Sequence, residues 1–313
     1  MFSLMTMLEP VSLRIRPRLE ALIARARSQA PLRIAIVNPI DQADVAALAA
    51  AGDFIVPFLV GPRSLIEEAA SRAGLSLSAC TFVDVPNAAL AAHAAVELAQ
   101  RDAVDVLMKG ALHTDAFMSS VLAAADLRTT RRMSHVAVIE TSLPRLLFVS
   151  DGALNIAPNL DAKRDITQNA IDVARAVGVA TPKVAILAAV ETVSSNIPAT
   201  VDAAAVSRMA DRGEIVGGVV DGPLALDDAV SPEAARLKGI TSPVAGYADV
   251  LIAPELNAAN HLFKAIEYFS GGACADVVVG ARIPLVLTSR ADDAFTRVAS
   301  IALAALCRPS QER

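Results

Sequence analysis

The feature that most constrains the fold of this chain is a regular alternation between short apolar runs and segments with helical spacing. Four apolar runs of strand type occur within the first 110 residues, at 33–39, 54–62, 81–86 and 104–110. Such alternation is typical of βαβ units, in which a helix connects two parallel strands. The sequence therefore predicts an α/β protein built on a mostly parallel sheet.

A second series of strand patterns begins at residue 135. The first two, at residues 135–141 and 145–152, are expected to pair as a hairpin, because Pro144 marks a turn between them. Further strands are predicted at residues 183–190, 214–223, 248–255 and 283–289. Apolar residues at helical spacing predict helices at residues 17–29, 64–74, 87–102 and 160–178.

The composition narrows the class of protein. The chain of 313 residues is 54% apolar and 19% charged, so it can bury a large core and is not a disordered protein. A net charge of −5 argues against a nucleic-acid binder. Three cysteines without a C-x-x-C motif fit a reducing cytoplasm, and we expect neither a secretory signal nor a membrane span.

Polar residues follow many of the predicted strands at the point where the apolar run stops. Ligands of open α/β sheets bind outside the carboxyl ends of the strands, so a row of polar groups there indicates a binding site. The alternative is that any chain leaving a core becomes polar, but with seven such ends we favour a site. These residues are Asn38, Lys109, Asp151, Glu191, Asp221, Glu255 and Ser289.

Several common site motifs are absent from the sequence. There is no G-x-G-x-x-G after the first strand and no G-x-x-x-x-G-K-[ST], so neither a Rossmann dinucleotide site nor a P-loop is supported. G-x-S-x-G is missing too, which weighs against an α/β-hydrolase. The four histidines show no metal-binding spacing, and we predict no metal site.

Seven segments, in the same order along the chain, carry a family resemblance. They are LMKGALHTD (107–115), LRTTRRMSHV (127–136), SDGALNIAPNLDAKRDITQNAID (150–172), VAILAAVETV (184–193), IVGGVVDGPLALDDAVS (215–231), APELNAANHLFK (253–264) and LTSRADD (287–293). Together they resemble the phosphate acyltransferases, namely phosphate acetyltransferase and phosphate butyryltransferase. The resemblance extends over nearly the whole chain, from about residue 33 to residue 297.

The resemblance implies a fold similar to that of isocitrate and isopropylmalate dehydrogenases, with two α/β domains flanking a cleft. Residues 1–133 together with 285–313 would form domain one. Residues 134–284 would form domain two, which carries the dimer contact in this family, so a homodimer is expected.

The resemblance also places Ser289 and Arg290 on the family's catalytic Ser-Arg pair. An acyl phosphate is an anion, and its carbonyl oxygen gains charge when a thiolate attacks, so a hydroxyl donor and a cation directed at these oxygens stabilise the transition state. The planar fork of an arginine can bind two phosphate oxygens at once. We interpret Ser289 as the transition-state donor and Arg290 as the phosphate clamp.

The reaction also needs a base for the coenzyme A thiol, whose ordinary pKa is about 8.5. In the acetyltransferases the proposed base is an Asp several residues beyond the Ser-Arg pair, but here the seventh residue beyond Ser289 is Thr296. Butyryltransferase-like members share the run Ser-Arg-Ala-Asp, so we favour Asp292 as the base, with Asp293 second. Alternatively, either acid caps the final helix, residues 294–306.

The remaining predicted site residues bind substrate. Arg128, Arg131 and Arg132 could meet the phosphates of coenzyme A, although they fit a solvated basic loop nearly as well. Lys109 is expected to contact an anion, with Gly110 allowing close approach of the backbone. The residues that match family motifs and are expected at the cleft are Asp151, Asn155, Asp221, Asn257 and Asn260.

The implied activity is transfer of a short acyl group, acetyl or butyryl, between coenzyme A and inorganic phosphate. Acyl-CoA, phosphate and acyl phosphate are then substrates, and no tightly bound cofactor is expected. Two alternatives stay open: a metal- and NAD-dependent decarboxylating dehydrogenase of the same fold, and a non-catalytic acyl-CoA-binding or regulatory protein on the same scaffold.

Overall fold

A mixed β-sheet of eleven strands runs through the computed structural model, which describes residues 16–269, 271–289 and 292–309. The strands are β1 (Leu32–Val37), β2 (Ile55–Gly61), β3 (Thr81–Asp84), β4 (Val106–Lys109), β5 (Ser134–Glu140), β6 (Leu146–Ser150), β7 (Lys183–Leu187), β8 (Val219–Leu224), β9 (Val250–Ile252), β10 (Ala273–Val279) and β11 (Leu285–Leu287).

Eleven α-helices accompany these strands in the described part of the chain. They are α1 (Pro17–Arg27), α2 (Gln42–Ala51), α3 (Arg63–Arg72), α4 (Ala88–Gln100), α5 (Thr114–Ala123), α6 (Leu160–Ala176), α7 (Pro198–Asp211), α8 (Leu226–Val230), α9 (Pro232–Leu237), α10 (Leu256–Phe269) and α11 (Ala294–Leu306). Each of the three connections between β1 and β4 contains an α-helix, as βαβ units require.

The strand order in the sheet is β3-β2-β1-β4-β11-β10-β5-β6-β9-β7-β8. The first five strands in this order, β3, β2, β1, β4 and β11, are mutually parallel. The last four, β6, β9, β7 and β8, are also mutually parallel. Antiparallel pairing occurs where β10 meets β11 and β5, and where β5 meets β6. Because Lys109 is in register with both Val37 and Leu287, the carboxyl ends of β1, β4 and β11 lie side by side.

Helix α11, which follows β11 in the chain, is deeply buried. Its N-terminus is capped by Asp293, whose side chain accepts a hydrogen bond from the Thr296 N–H. Ten consecutive residues of the helix, 296–305, are buried, and the helix packs against β10, α1 and α2. A helix that is apolar on nearly every face is stable only inside a core, so α11 fixes the chain that precedes it.

Most of the predicted elements are present in the structure. The hairpin across Pro144 is confirmed, since β5 and β6 pair in antiparallel register from Val136↔Ser150 to Glu140↔Leu146. The sequence patterns missed β10, which lies between β11 and β5 at the centre of the sheet. The assignment of two domains, with boundaries at 133/134 and 284/285, stays a prediction. No helix in the described ranges has the length and apolar character of a membrane span.

Candidate active site

A cavity of about 430 Å³ lies beyond the carboxyl ends of β4 and β11. It brings together four of the residues that the sequence predicted for the site: Lys109, Asn260, Ser289 and Asp292. Side chains from β5, β10 and α10 form its other wall. Of the seven residues that follow predicted strands, Lys109 and Ser289 line this cavity, whose volume is within the usual range for small-molecule pockets.

Lys109 ends β4 as a buried cation at the edge of this cavity. Its Nζ donates to the carbonyl oxygens of Gly110 at 3.2 Å and Leu112 at 3.3 Å. A Cβ atom at Gly110 would lie 2.6 Å from the Val37 carbonyl oxygen and 2.9 Å from Asp44 Oδ2, so a larger residue would push β1 and β4 apart. Glycine at this position keeps the strand ends together below the cavity.

A buried arginine holds the segment that follows β11. Arg297 on α11 forms an ion pair with Asp44 on α2, and both side chains are almost completely buried. The same guanidinium donates to Thr288 Oγ1 at 3.2 Å, to the Ser289 carbonyl oxygen at 2.9 Å and to the Asp292 carbonyl oxygen at 3.3 Å. Thr288 in turn donates to the Lys109 carbonyl oxygen at 2.9 Å, which ties this segment to β4. One cation thus positions the backbone around Ser289 and Asp292.

The Asp292 carboxylate is buried and lines the cavity. Its Oδ2 accepts a hydrogen bond from the Ser289 N–H at 2.6 Å. Burial raises the pKa of Asp292 to about 6; the Ser289 hydrogen bond opposes this rise, whereas the charge of Asp276 adds to it. A carboxylate with a pKa near the working pH is a better proton acceptor than one in water.

The neighbouring Asp293 has a structural role. Its side chain is more than half exposed, accepts from the Thr296 N–H at 2.7 Å and pairs with Arg16 at 3.3 Å. Partial burial opposes ionisation of this carboxyl, but the Thr296 N–H and Arg16 outweigh it and lower its pKa. The helix-capping alternative is thus confirmed for Asp293.

The opposite wall contains residues that the sequence did not single out for function. His135 Nε2 lies 3.0 Å from Asp276 Oδ1, and both side chains are buried. Burial lowers the pKa of His135, but the hydrogen bond and charge of Asp276 raise it above its usual value overall. Phe263 and Lys264 of α10 complete this wall, and Lys264 pairs with Glu267 at 2.8 Å.

Three arginines predicted to bind coenzyme A do not line this cavity. Arg128 donates to the Leu122 carbonyl oxygen, and Arg131 forms an exposed ion pair with Asp172. Arg132 lies 3.4 Å from Asn155 Oδ1 and is exposed. Arg131 instead lines a second cavity, of about 550 Å³. Arg290 lies outside the described residues.

The other predicted binding residues shape loops near the sheet. Asp151 accepts hydrogen bonds from the N–H groups of residues 153–155, which folds the chain after β6. Asn260 donates to the Gly152 carbonyl oxygen at 3.0 Å and so attaches α10 to that loop. Asn257 is exposed and bonded to Glu255, and Asp221 accepts from the Gly222 N–H at 2.8 Å. Their roles toward substrate stay predictions.

The fold and the cavity define an α/β protein in which a buried cation, Lys109, and a carboxylate with a raised pKa, Asp292, line one pocket at the carboxyl end of the sheet. The described side chains include no group of three or more His, Cys, Asp or Glu that could hold a metal ion. Their arrangement suits proton transfer and binding of a negatively charged substrate.

Comparison with known proteins identifies the family. The family model described as phosphate acetyl/butaryl transferase matches residues 63–305. A phosphate acetyltransferase of Rhizobium meliloti is 48% identical over 291 residues, covering 92% of each chain. A phosphate butyryltransferase of Clostridium acetobutylicum is 46% identical and covers 79% of this chain and 83% of its own length. The structure of a branched-chain phosphotransacylase from Enterococcus faecalis V583 matches with a TM-score of 0.77 at 27% identity, covering 88% of this chain and 98% of that one.

The chain therefore belongs to the phosphate acetyl/butyryltransferase family, and it is an acyltransferase. This confirms the resemblance carried by the seven segments of the sequence.

Proposed function

We propose that this protein transfers a short acyl group, acetyl or butyryl, between coenzyme A and inorganic phosphate at the 430 Å³ cavity. The observation that carries the proposal is the buried Asp292 carboxylate, with a pKa of about 6, held by the Ser289 N–H in the same cavity as Lys109. These groups are the base, hydroxyl and cation that acyl transfer to a thiol requires.

In the direction of acyl-CoA formation, Asp292 accepts the thiol proton of coenzyme A. The sulfur then attacks the acyl carbon, the new C–S bond forms, and the bond between the acyl carbon and the phosphate oxygen breaks. Inorganic phosphate leaves with the electron pair of that bond. Ser289 donates a hydrogen bond to the developing oxyanion, while Lys109 and Arg290 balance the phosphate charge.

The volume of the cavity indicates which parts of the substrates it can hold. A volume of about 430 Å³ holds an acyl phosphate and the thiol end of coenzyme A but not a whole coenzyme A molecule. The nucleotide part must therefore lie outside the cavity, where Arg128, Arg131 and Arg132 stay candidates for its phosphates. All three are exposed and accessible to a ligand.

The direct test is an assay of purified protein. Incubation with acetyl-CoA or butyryl-CoA should release free thiol only when inorganic phosphate is present, and acyl phosphate should form in equal amount. Thiol can be followed by a colour reagent and acyl phosphate by hydroxamate formation. An absence of phosphate-dependent thiol release with every short acyl-CoA would reject the proposed function.

Arg290→Ala should lower kcat/KM by more than about tenfold, because the phosphate of the substrate loses a bidentate partner. The comparison variant is Arg236→Ala, which removes an exposed arginine of α9 paired with Glu233. Kinetics with acetyl phosphate and coenzyme A would measure both. A loss of twofold or less for Arg290→Ala would remove the clamp role.

The alternatives from the sequence are not favoured. The relatives are named phosphate acetyltransferase, phosphate butyryltransferase and phosphotransacylase. These names support neither a dehydrogenase nor a non-catalytic scaffold. The proposal has four further parts. Coenzyme A is a substrate rather than a bound cofactor, and the protein is cytoplasmic. It has an isocitrate dehydrogenase-like pair of domains and forms a homodimer with its contact within residues 134–284.

A further inference from the structure

Three large apolar side chains, which come from both walls of the cavity, line it among mainly polar residues. Among the described residues that line it, the large apolar side chains are Leu112, Phe263 and Leu287. The rest of the lining is mainly polar or charged, or small, as at Gly152 and Ala153. A hydrocarbon chain in this cavity gains most by contact with these side chains, because apolar surface is more stable away from water.

Phe263 is the largest of these side chains, and its position is fixed. It is only 5% exposed. A Cβ atom at residue 152 would lie 2.7 Å from its Cε1 atom, so the ring already fills the space above Gly152. On the same helix, Asn260 donates to the Gly152 carbonyl oxygen at 3.0 Å, which anchors the turn of α10 that carries the ring.

Polar neighbours restrict movement of the ring further. The His135 ring lies with its centroid 5.7 Å from that of Phe263, and His135 is held by Asp276 at 3.0 Å. On another side, Lys264 Nζ lies 5.0 Å from the Phe263 centroid and is itself paired with Glu267. Displacing the ring would disturb a buried hydrogen bond or an ion pair. Moving this wall to admit a longer acyl chain would therefore cost free energy.

We propose that Phe263 is a specificity-determining residue of the enzyme, and that its ring forms a fixed apolar wall that limits substrates to short acyl groups. The inference rests on the proposed function, since it assumes that the acyl group occupies this cavity. It adds a physical reason for a short acyl chain.

The test compares acyl chain lengths in Phe263→Ala and Phe263→Leu. The ratio of kcat/KM for hexanoyl-CoA to that for acetyl-CoA should rise at least about tenfold in Phe263→Ala, since a single methylene in an apolar pocket changes kcat/KM by about 10–200-fold. Phe263→Leu should shift the ratio in the same direction by a smaller factor, and it decides the outcome if the alanine variant does not fold. Thermal unfolding of each variant establishes which are folded.

The matched control is Phe269→Ala, which truncates a phenylalanine on the same helix that is 89% exposed. Its ratio should equal that of the wild type. A ratio within twofold of the wild type in every folded Phe263 variant would overturn the inference while leaving the proposed function intact. Absence of turnover by the wild-type enzyme with any acyl-CoA would instead overturn the proposed function itself.

Discussion

Replacing Asp292 with Asn is expected to lower kcat/KM for acyl-CoA formation by about 10²–10⁴-fold, the usual contribution of a positioned general base. An Asn side chain has nearly the same shape and can still accept the Ser289 N–H that lies 2.6 Å from Oδ2. It cannot accept the thiol proton, so the loss reports proton transfer rather than a change of the loop. Initial rates with acetyl phosphate and coenzyme A above pH 7 provide the measurement.

The adjacent acid supplies the matched control for this variant. Asp293→Asn also removes one negative charge from the same turn, but an Asn remains a good cap for α11. We expect kcat/KM within about threefold of the wild type, because Asp293 points to Thr296 and Arg16 rather than into the cavity. Equal losses in the two variants would show that charge or helix capping, and not a base at residue 292, limits the reaction.

Arg297→Ala is expected to have the largest effect on stability. It would leave the Asp44 carboxylate buried without its cation, and removing one partner of a buried ion pair typically costs about 3–5 kcal/mol of unfolding free energy. The backbone carbonyl oxygens of Ser289 and Asp292 would lose a donor as well. Urea denaturation at neutral pH, with the unfolding midpoint and slope fitted together, measures the change.

Two comparisons make this prediction specific. Arg236→Ala removes an exposed ion pair with Glu233 and should leave the urea midpoint unchanged within error. The double variant Asp44→Asn/Arg297→Met should recover part of the lost stability, because no unpaired charge stays buried. If Arg297→Ala unfolds at the same urea concentration as the wild type, the ion pair does not hold the segment after β11.

Burial explains why the sequence predicted some strands, such as β4 and β5, although β3, none of whose residues is buried, was predicted as well. All four residues of β4 and all seven of β5 are buried, so the pattern alone located them. Strand β10 was missed because the buried Asp276 interrupts its apolar run and Gly271 and Gly272 precede it. The partner of Asp276, His135, lies 141 residues away in the sequence, and no local pattern carries information over that distance.

The site was predictable where it depends on strand ends and not where it depends on packing. Lys109 and Ser289 were found because each follows an apolar run, and Asp292 because the run Ser-Arg-Ala-Asp resembles that of butyryltransferase-like proteins. Arg297 was missed because an Arg within an apolar helix gives no hint that its partner Asp44, 253 residues away, will bury it. Phe263 was missed too, since one aromatic residue on an amphipathic helix is indistinguishable from an ordinary core residue.

The choice between Asp292 and Asp293 shows the same limit. Both acids lie within the same short run, and spacing alone cannot tell a helix cap from a base. The difference arises from burial: the chain turns so that Asp292 faces inward while Asp293 meets solvent and Arg16. The packing of α11 against the sheet determines which acid caps the helix and which lines the cavity.

The pH dependence of kcat/KM for acyl-CoA formation, compared between the wild type and Asp292→Asn, tests the central claim most directly. Burial raises the pKa of Asp292 to about 6, so below that pH the carboxyl is protonated and cannot accept the thiol proton. The wild-type rate should rise with pH through an apparent pKa near 6 and then level off, and this acid limb should be absent in Asp292→Asn. An Asn variant that keeps the same limb and the same rate would contradict the account.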